Sequence, residues 1–288
     1  MENSEIEDLE VSLLLEALHE RYGYDFRDYA RATMVRRIRQ FAVKAGVERV
    51  SELLPRVLYD PGFFQSLIVD FSIPVTEMFR DPGFYHTLRK EVIPLLKTYP
   101  FIRIWHAGCA TGEEVYSLAI LLKDEGLYER ATIFATDFND TALDRAREGI
   151  FPLEHVRSYT KNYQDSGGVH SLSRYYHADQ EHIVLDRGLG KNITFANHNL
   201  VSDQVFGEMH MVLCRNVLIY FNKKLQGRVL ELFDGSLVRG GFLCLGSRET
   251  IRFSTLSNFY GRVDERQKIY RKQMGTEGGK RDLPDGTS

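Results

Sequence analysis

The stretch Arg103-Ile-Trp-His-Ala-Gly-Cys-Ala-Thr-Gly-Glu-Glu-Val-Tyr-Ser-Leu-Ala-Ile-Leu-Leu122 decides the fold, because a short apolar run passes through a glycine-bearing turn into helical periodicity. Ile102, Ile104 and Ala107 suit a buried parallel strand. Gly108 and Gly112 let the backbone turn sharply and approach a ligand where a β-carbon would clash. From Glu113 onward Val115, Leu118, Ala119 and Leu122 recur at helical spacing, so a helix N-terminus faces whatever the turn holds.

The Gly-x-x-x-Gly turn is neither a full G-x-G-x-x-G fingerprint nor a Walker loop, which needs Lys followed by Ser or Thr. Glu113 and Glu114 at the helix start suit its dipole but would repel a pyrophosphate. A ligand with a cationic group and free hydroxyls fits better, and S-adenosylmethionine has both. Downstream, Thr132-Ile-Phe-Ala-Thr-Asp137 reads as a second strand ending in an acid, where a doubly wound sheet holds ribose hydroxyls. The alternative role for Asp137 is a helix cap, but Asn139-Asp140-Thr141 caps the helix that follows, and Asp140 and Thr141 can already serve there.

Outside this core the sequence describes a soluble protein. Its 288 residues suffice for two domains, with 43% apolar residues and a net charge of -3. No apolar run approaches the roughly 20 residues of a membrane span, and the acidic start Met1-Glu-Asn-Ser-Glu-Ile-Glu-Asp8 is unlike a signal peptide. A cytoplasmic protein without membrane insertion is expected. Cys109, Cys214 and Cys244 are too widely spaced for a disulfide framework or zinc site and read as small apolar fillers; the His residues also lack metal spacing, so no metal is expected.

About a hundred residues precede the core, with helical patterns over Ile6 to Tyr22, Tyr29 to Ala45, Ser51 to Leu58 and Pro61 to Phe71. An N-terminal helical domain over 1–83 is expected, then the α/β domain over 84–273, opening on a connecting helix from Phe84 to Lys97. Arg31 to Lys44 holds five positive charges and no negative one beside an apolar face of Met34, Val35, Ile38 and Phe41. Such a surface is either a solvated cationic face or a dock for an acidic partner. Between Gly149 and Lys191 the strand-helix alternation breaks into Tyr-rich polar segments, read as a small antiparallel insertion. Regular order returns with strands at Ile193 to Leu200, Met209 to Asn216 and Gly241 to Gly246, and residues 274–288 read as a disordered tail.

Five separated segments now resemble one family, the CheR-type chemotaxis receptor (protein-glutamate) O-methyltransferases: Val75-Thr-Glu-Met-Phe-Arg-Asp-Pro82, Ala107-Gly-Cys-Ala-Thr-Gly-Glu-Glu114, Ala135-Thr-Asp137, Asn199-Leu200 and Cys214-Arg-Asn-Val-Leu-Ile-Tyr-Phe221. The resemblance implies a Rossmann-like S-adenosylmethionine-dependent methyltransferase sheet with an all-helical N-terminal domain and a small β-subdomain at about 149–191. It also implies that Thr76, Arg80, Gly108, Glu114, Asp137, Asn199, Leu200, Arg215 and Asn216 surround S-adenosylmethionine, with Arg80 and Tyr220 bordering the reacting methyl group. The implied partner is the cytoplasmic coiled coil of a chemoreceptor, met by the basic helix at Arg36, Arg37 and Arg39. The sequence departs from the family pattern at Pro74, where Asn is frequent, and at Met78, which replaces a usual Phe. The segment Tyr175 to Val184 is short and lacks the glycine-rich turn that captures a receptor's C-terminal peptide in some relatives, so binding without such a tether is expected.

A glutamate side chain is already ionised near neutral pH and a methyl sulfonium is an activated electrophile, so the implied reaction needs no general base. Alignment of carboxylate, methyl and sulfur is then the main task, with S-adenosylhomocysteine as the other product. Phe79, Tyr220 and Phe221 are expected to wall out water, and Arg80 to position the carboxylate. Arg215 has a second possible role, as ion-pair partner of Glu114 or Asp137. A different acceptor or a non-catalytic cofactor-binding regulator are the competing readings. The overall acidity and single basic helix argue against nucleic acid, and a monomer is expected.

Overall fold

A computed structural model describes residues 3–71, 76–205 and 207–273. Pro74 and the tail at 274–288 lie outside the described residues. Four helices come first: α1 (Asn3–Tyr22), α2 (Arg31–Ala45), α3 (Leu53–Tyr59) and α4 (Pro61–Phe71). Leu14, Leu18, Ile38, Leu53, Val57 and Leu67 are wholly buried where their apolar faces meet, each contributing about 1.5–3 kcal/mol relative to exposure.

Pro82 opens α5 (Pro82–Thr87), which passes through a widened turn at Leu88–Val92 into α6 (Ile93–Leu96). The single helix expected from Phe84 to Lys97 is thus interrupted. Pro94 has no N–H to return to the preceding turn, and the helix widens ahead of it.

The α/β unit then runs β1 (Ile102–Ala107), α7 (Glu113–Asp124), β2 (Ala131–Asp137) and α8 (Asp140–Glu148). An insertion follows, with β3 (Ile150–Pro152), α9 (Val156–Asp165), β4 (Tyr176–Ala178) and β5 (His182–Leu185). The sheet resumes with β6 (Ile193–Asn197), β7 (Met209–Cys214), α10 (Lys223–Ser236), β8 (Leu237–Leu245), β9 (Tyr260–Asp264) and β10 (Ile269–Lys272).

The large sheet has the order β6-β2-β1-β7-β8-β10-β9, parallel from β6 to β8, with β10 antiparallel to both its neighbours. Alternating side chains build two cores, as the period-2 pleat requires. Ile102, Ile104, Ile133, Met211 and Leu213 face α7, whereas Trp105, Ala107, Val212, Cys214 and Leu243 face α10. Trp105 is fully buried, and its indole N–H donates to the Thr136 hydroxyl at 2.8 Å. The strand order reverses between β2 and β7 on either side of β1, which opens a crevice beyond their carboxyl ends. The final β9-β10 pair had no expectation from the sequence.

The insertion is a three-stranded antiparallel sheet in the order β3-β5-β4, within the stretch read as a small antiparallel insertion. Its helix α9 was not foreseen. The tyrosines explain themselves in packing: Tyr163 stacks edge-on against Phe79, and the hydroxyls of Tyr163 and Tyr175 both donate to Asp124, which also pairs with Arg89. An aromatic body in the core with its polar tip on one buried carboxylate satisfies both halves of the side chain. No described helix is long and apolar enough to cross a membrane.

Candidate active site

Beyond the carboxyl ends of β1, β2 and β7 lies a cavity of ≈ 300 Å³, closed on one side by α2 and its preceding loop. Its lining brings together Thr76, Arg80, Gly108, Glu114, Asp137, Asn199, Leu200, Arg215, Asn216 and Tyr220, residues from five separated segments. The helical unit adds Phe26, Tyr29, Met34, Arg37 and Phe71, and the sheet side adds Phe138, His198 and Ile219. Of these, the sequence had singled out Arg37 as a candidate site residue and Met34 only as part of an apolar helix face, because apolar lining residues look like any core residue.

The turn after β1 is set by backbone bonds from Gly108 N–H and Cys109 N–H to the Thr136 carbonyl, at 2.8 and 2.9 Å. Gly108 has a φ of +73°, and a β-carbon there would collide with the Val217 side chain. Gly112, at φ +94°, would place one 2.9 Å from the Ala146 methyl. Both glycines are therefore required by close approach as well as by left-handed geometry. Cys109 is buried with its thiol pKa pushed well up by desolvation, as an apolar filler.

Asp137 sits at the end of β2 with its carboxylate on two amides, Ala110 N–H at 2.9 Å and Asn139 N–H at 3.0 Å. Each carboxylate oxygen keeps a lone pair for a ligand hydroxyl. The α8 cap is Asn139, the first residue of the capping stretch Asn139-Asp140-Thr141 read in the sequence, accepting from Thr141 and Ala142 N–H. That division leaves Asp137 to the cavity. Burial raises its pKa, while the amides oppose the shift.

Arg215 is the buried centre of the polar wall. Its guanidinium pairs with Glu114 and, at 2.6 Å, with Asp81, and lies over the Phe84 ring. The ion-pair role for Arg215 is therefore realised at Glu114, not at Asp137. Asn216, with φ +62°, follows it, and its N–H donates to Glu249 at 3.1 Å. The same buried Glu249 carboxylate accepts from Gly246 N–H at 2.6 Å and Ile219 N–H at 3.3 Å, which fixes the loop after β7. Sequence reasoning missed Glu249, since one acid in a polar loop carries no periodic signal.

Phe79 and Asp81 flank Arg80 with φ values of +53° and +56°. With Ala110 and Asn216, they make four of the five non-glycine residues with positive φ among those described, all around this cavity. Such conformations cost on the order of 1–3 kcal/mol each and persist only where surroundings enforce them. Here Phe79 N–H is held by Ser117 Oγ at 2.8 Å, whose own hydroxyl is tied to the Glu113 carbonyl. Phe79 itself is fully buried against Tyr85 and Tyr163, so it supports the wall from behind and does not line the cavity as expected. Tyr220 and Phe221 do line it.

The three arginines expected on an outward face divide. Arg36 is exposed. Arg39 is exposed but paired with Glu7. Arg37 is turned inward, donating to the Asp70 and Phe71 carbonyls at 2.9 Å and lying 5.7 Å over the Tyr220 ring. The docking expectation for Arg37 is corrected on this point, since its guanidinium is bound to the end of α4.

The cavity suits S-adenosylmethionine on its own geometry. The Asn216 side-chain oxygen is buried there with no protein partner among the described residues. Gly108 provides a cradle that a β-carbon would fill, Asp137 can accept from hydroxyls, and apolar walls at Phe138 and Leu200 can flank a base. A doubly wound sheet of this order with an acid after β2 and an open glycine turn after β1 defines an S-adenosylmethionine-dependent methyltransferase. The chain belongs to the CheR methyltransferase family: residues 74–265 match the CheR methyltransferase, SAM binding domain, and residues 9–72 match its all-alpha domain.

Among relatives, a protein named putative methyltransferase Cher3 of Pseudomonas putida is 49% identical over 265 residues, covering 92% of this chain and 97% of its own length. A chemotaxis protein methyltransferase of Listeria monocytogenes is 29% identical, covering 83% of this chain and 91% of its own length. Chemotaxis protein methyltransferase 1 of Pseudomonas aeruginosa is 28% identical over 75% of this chain and 80% of its own length.

Proposed function

We propose that the protein transfers a methyl group from S-adenosylmethionine to glutamate side chains on the cytoplasmic helices of a chemoreceptor, giving methyl esters. The observation that carries this reading is the position of Arg80, which borders both the cofactor cavity and an adjoining open depression lined by Thr76, Glu77, His155, Ser158 and Tyr159. A guanidinium between a cofactor site and open surface suits a carboxylate arriving from outside. Relatives named chemotaxis protein methyltransferase support the same acceptor class.

The two cavity carboxylates favour an acceptor that needs no deprotonation. Glu114 is committed to Arg215, and Asp137 to two amides. The cofactor supplies a methyl group activated by its sulfonium. Within the protein, Asp137 holds the ribose, Asn199 and Leu200 meet the adenine, and Glu114 faces the cationic end. Arg80 and the Tyr220 hydroxyl orient the incoming carboxylate.

The test is transfer of radiolabelled methyl from S-adenosylmethionine to the cytoplasmic fragment of a chemoreceptor from the same cell, followed by mild alkali. Label released by alkali is the expected result. Alkali-stable label, or cofactor binding without any transfer, overturns the glutamate assignment.

A further inference from the structure

At the carboxyl edge of the large sheet, the loop after β8 and the turn between β9 and β10 form one continuous rim. Leu245 N–H donates to the Lys268 carbonyl at 3.1 Å, and Arg252 pairs with Glu265 across the two segments. The rim touches the cavity-lining loop at one point and the segment after Arg80 at another. Glu249 anchors it beneath Asn216 and Ile219, and Gln267 packs on Gly83, where an added β-carbon would lie 2.9 Å from its amide nitrogen. Gly83 is three residues from Arg80 in the chain.

The rim is cationic after its internal pairs are removed. Between residues 248 and 268 it carries Arg248, Arg252, Arg262, Arg266 and Lys268 against Glu249, Asp264 and Glu265. Glu249 is buried on amides, Glu265 takes both Arg252 and Arg262, and Asp264 accepts from Thr87 and Gln267. Arg248, Arg266 and Lys268 have no ion pair among the described residues. Beside them Phe253 is 94% exposed, an aromatic ring on a loop whose neighbour Ile251 is buried.

Helix α2 presents the opposite balance. Arg31 pairs with Asp8, Arg39 with Glu7 and Lys44 with Asp70, while Arg37 is buried on carbonyls. Of its five cationic residues only Arg36 stands exposed without an acid beside it among the described residues. The charge that seemed concentrated on α2 is mostly neutralised within the helical unit.

We propose that this rim is a docking surface for the substrate protein, with Arg248, Arg266 and Lys268 as cationic contacts and Phe253 as apolar anchor. The occupant is an acidic amphipathic helix that carries the acceptor glutamate, so the inference rests on the glutamate reading above. Its charge complements the three unpaired cations, and its apolar stripe gives Phe253 a place to bury.

The test compares wild type with Arg248→Glu/Arg266→Glu and, separately, Phe253→Ser, titrating the chemoreceptor cytoplasmic fragment at saturating S-adenosylmethionine. The expected result is a rise of about tenfold or more in KM for the fragment. Unchanged kcat and unchanged cofactor affinity would show that the site is intact. Unchanged KM in both variants, with wild type active, overturns the rim while leaving the glutamate reading standing. A wild type that labels no fragment overturns the glutamate reading and the rim with it.

Discussion

The Arg215 guanidinium and the Glu114 carboxylate form an ion pair with both side chains almost wholly buried, 2% and 7% exposed. Removing one partner leaves the other charged and desolvated, which costs roughly 3–5 kcal/mol. Arg215→Ala is therefore expected to lose stability on that scale in denaturant unfolding, together with cofactor binding by calorimetry. A stability within about 1 kcal/mol of wild type would mean that Glu114 finds another partner.

Asp137→Ala removes the carboxylate that accepts from the Ala110 and Asn139 N–H groups, and with it the proposed ribose contact. Charged hydrogen bonds contribute about 1.5–3 kcal/mol each, so cofactor affinity is expected to fall about 10- to 100-fold by calorimetry. Normal affinity would remove Asp137 from the cofactor site.

Gly108→Ala drives a methyl into the Val217 side chain at a φ of +73°. Loss of cofactor binding is expected, and adding Val217→Ala relieves the collision but not the backbone strain. The double variant should recover binding only in part, and full recovery would show that the φ carries no cost.

Glu113 is buried at the start of α7, and desolvation pushes its pKa up to about 7, with the Thr111 hydroxyl opposing the shift. A carboxyl with a raised folded pKa binds its proton more tightly in the folded than in the unfolded chain. Its contribution is full below about pH 4.5 and is lost as pH rises to about 7. Relative to Glu113→Gln, wild type should lose on the order of 3 kcal/mol across that window. Parallel stability curves for the two proteins would contradict the shift.

Arg80→Ala is expected to lower turnover on the order of 100-fold through misplacement of the acceptor, with cofactor affinity changed far less. Steady-state kinetics with the receptor fragment separate the two effects. Undiminished turnover would count against Arg80 as a positioning residue.

Residues with a periodic or spacing signature were legible in the sequence, and residues defined by tertiary contact were not. The strand-turn-helix around Gly108 and the acid at Asp137 follow from hydrophobic pattern and backbone need. The β9-β10 pair stayed hidden because its strands are five and four residues long and flanked by charge. Helix α9 was obscured by its tyrosines, one of which, Tyr163, finds its partner Asp124 about forty residues earlier. The inward turn of Arg37 depends on carbonyls at the end of α4, which no local pattern announces.

The seam between the two units is backbone as well as side chain. Ala30 N–H donates to the Tyr220 carbonyl at 2.7 Å, Asn222 N–H to the Asp28 carbonyl at 2.9 Å, and the Asn222 amide to the Asp28 carboxylate at 3.1 Å. The same Asn222 caps α10. The helical unit is thus a wall of the reaction chamber and not an adaptor hung beside it. Replacing either half alone with a distant counterpart would have to re-form that seam before the chamber closed.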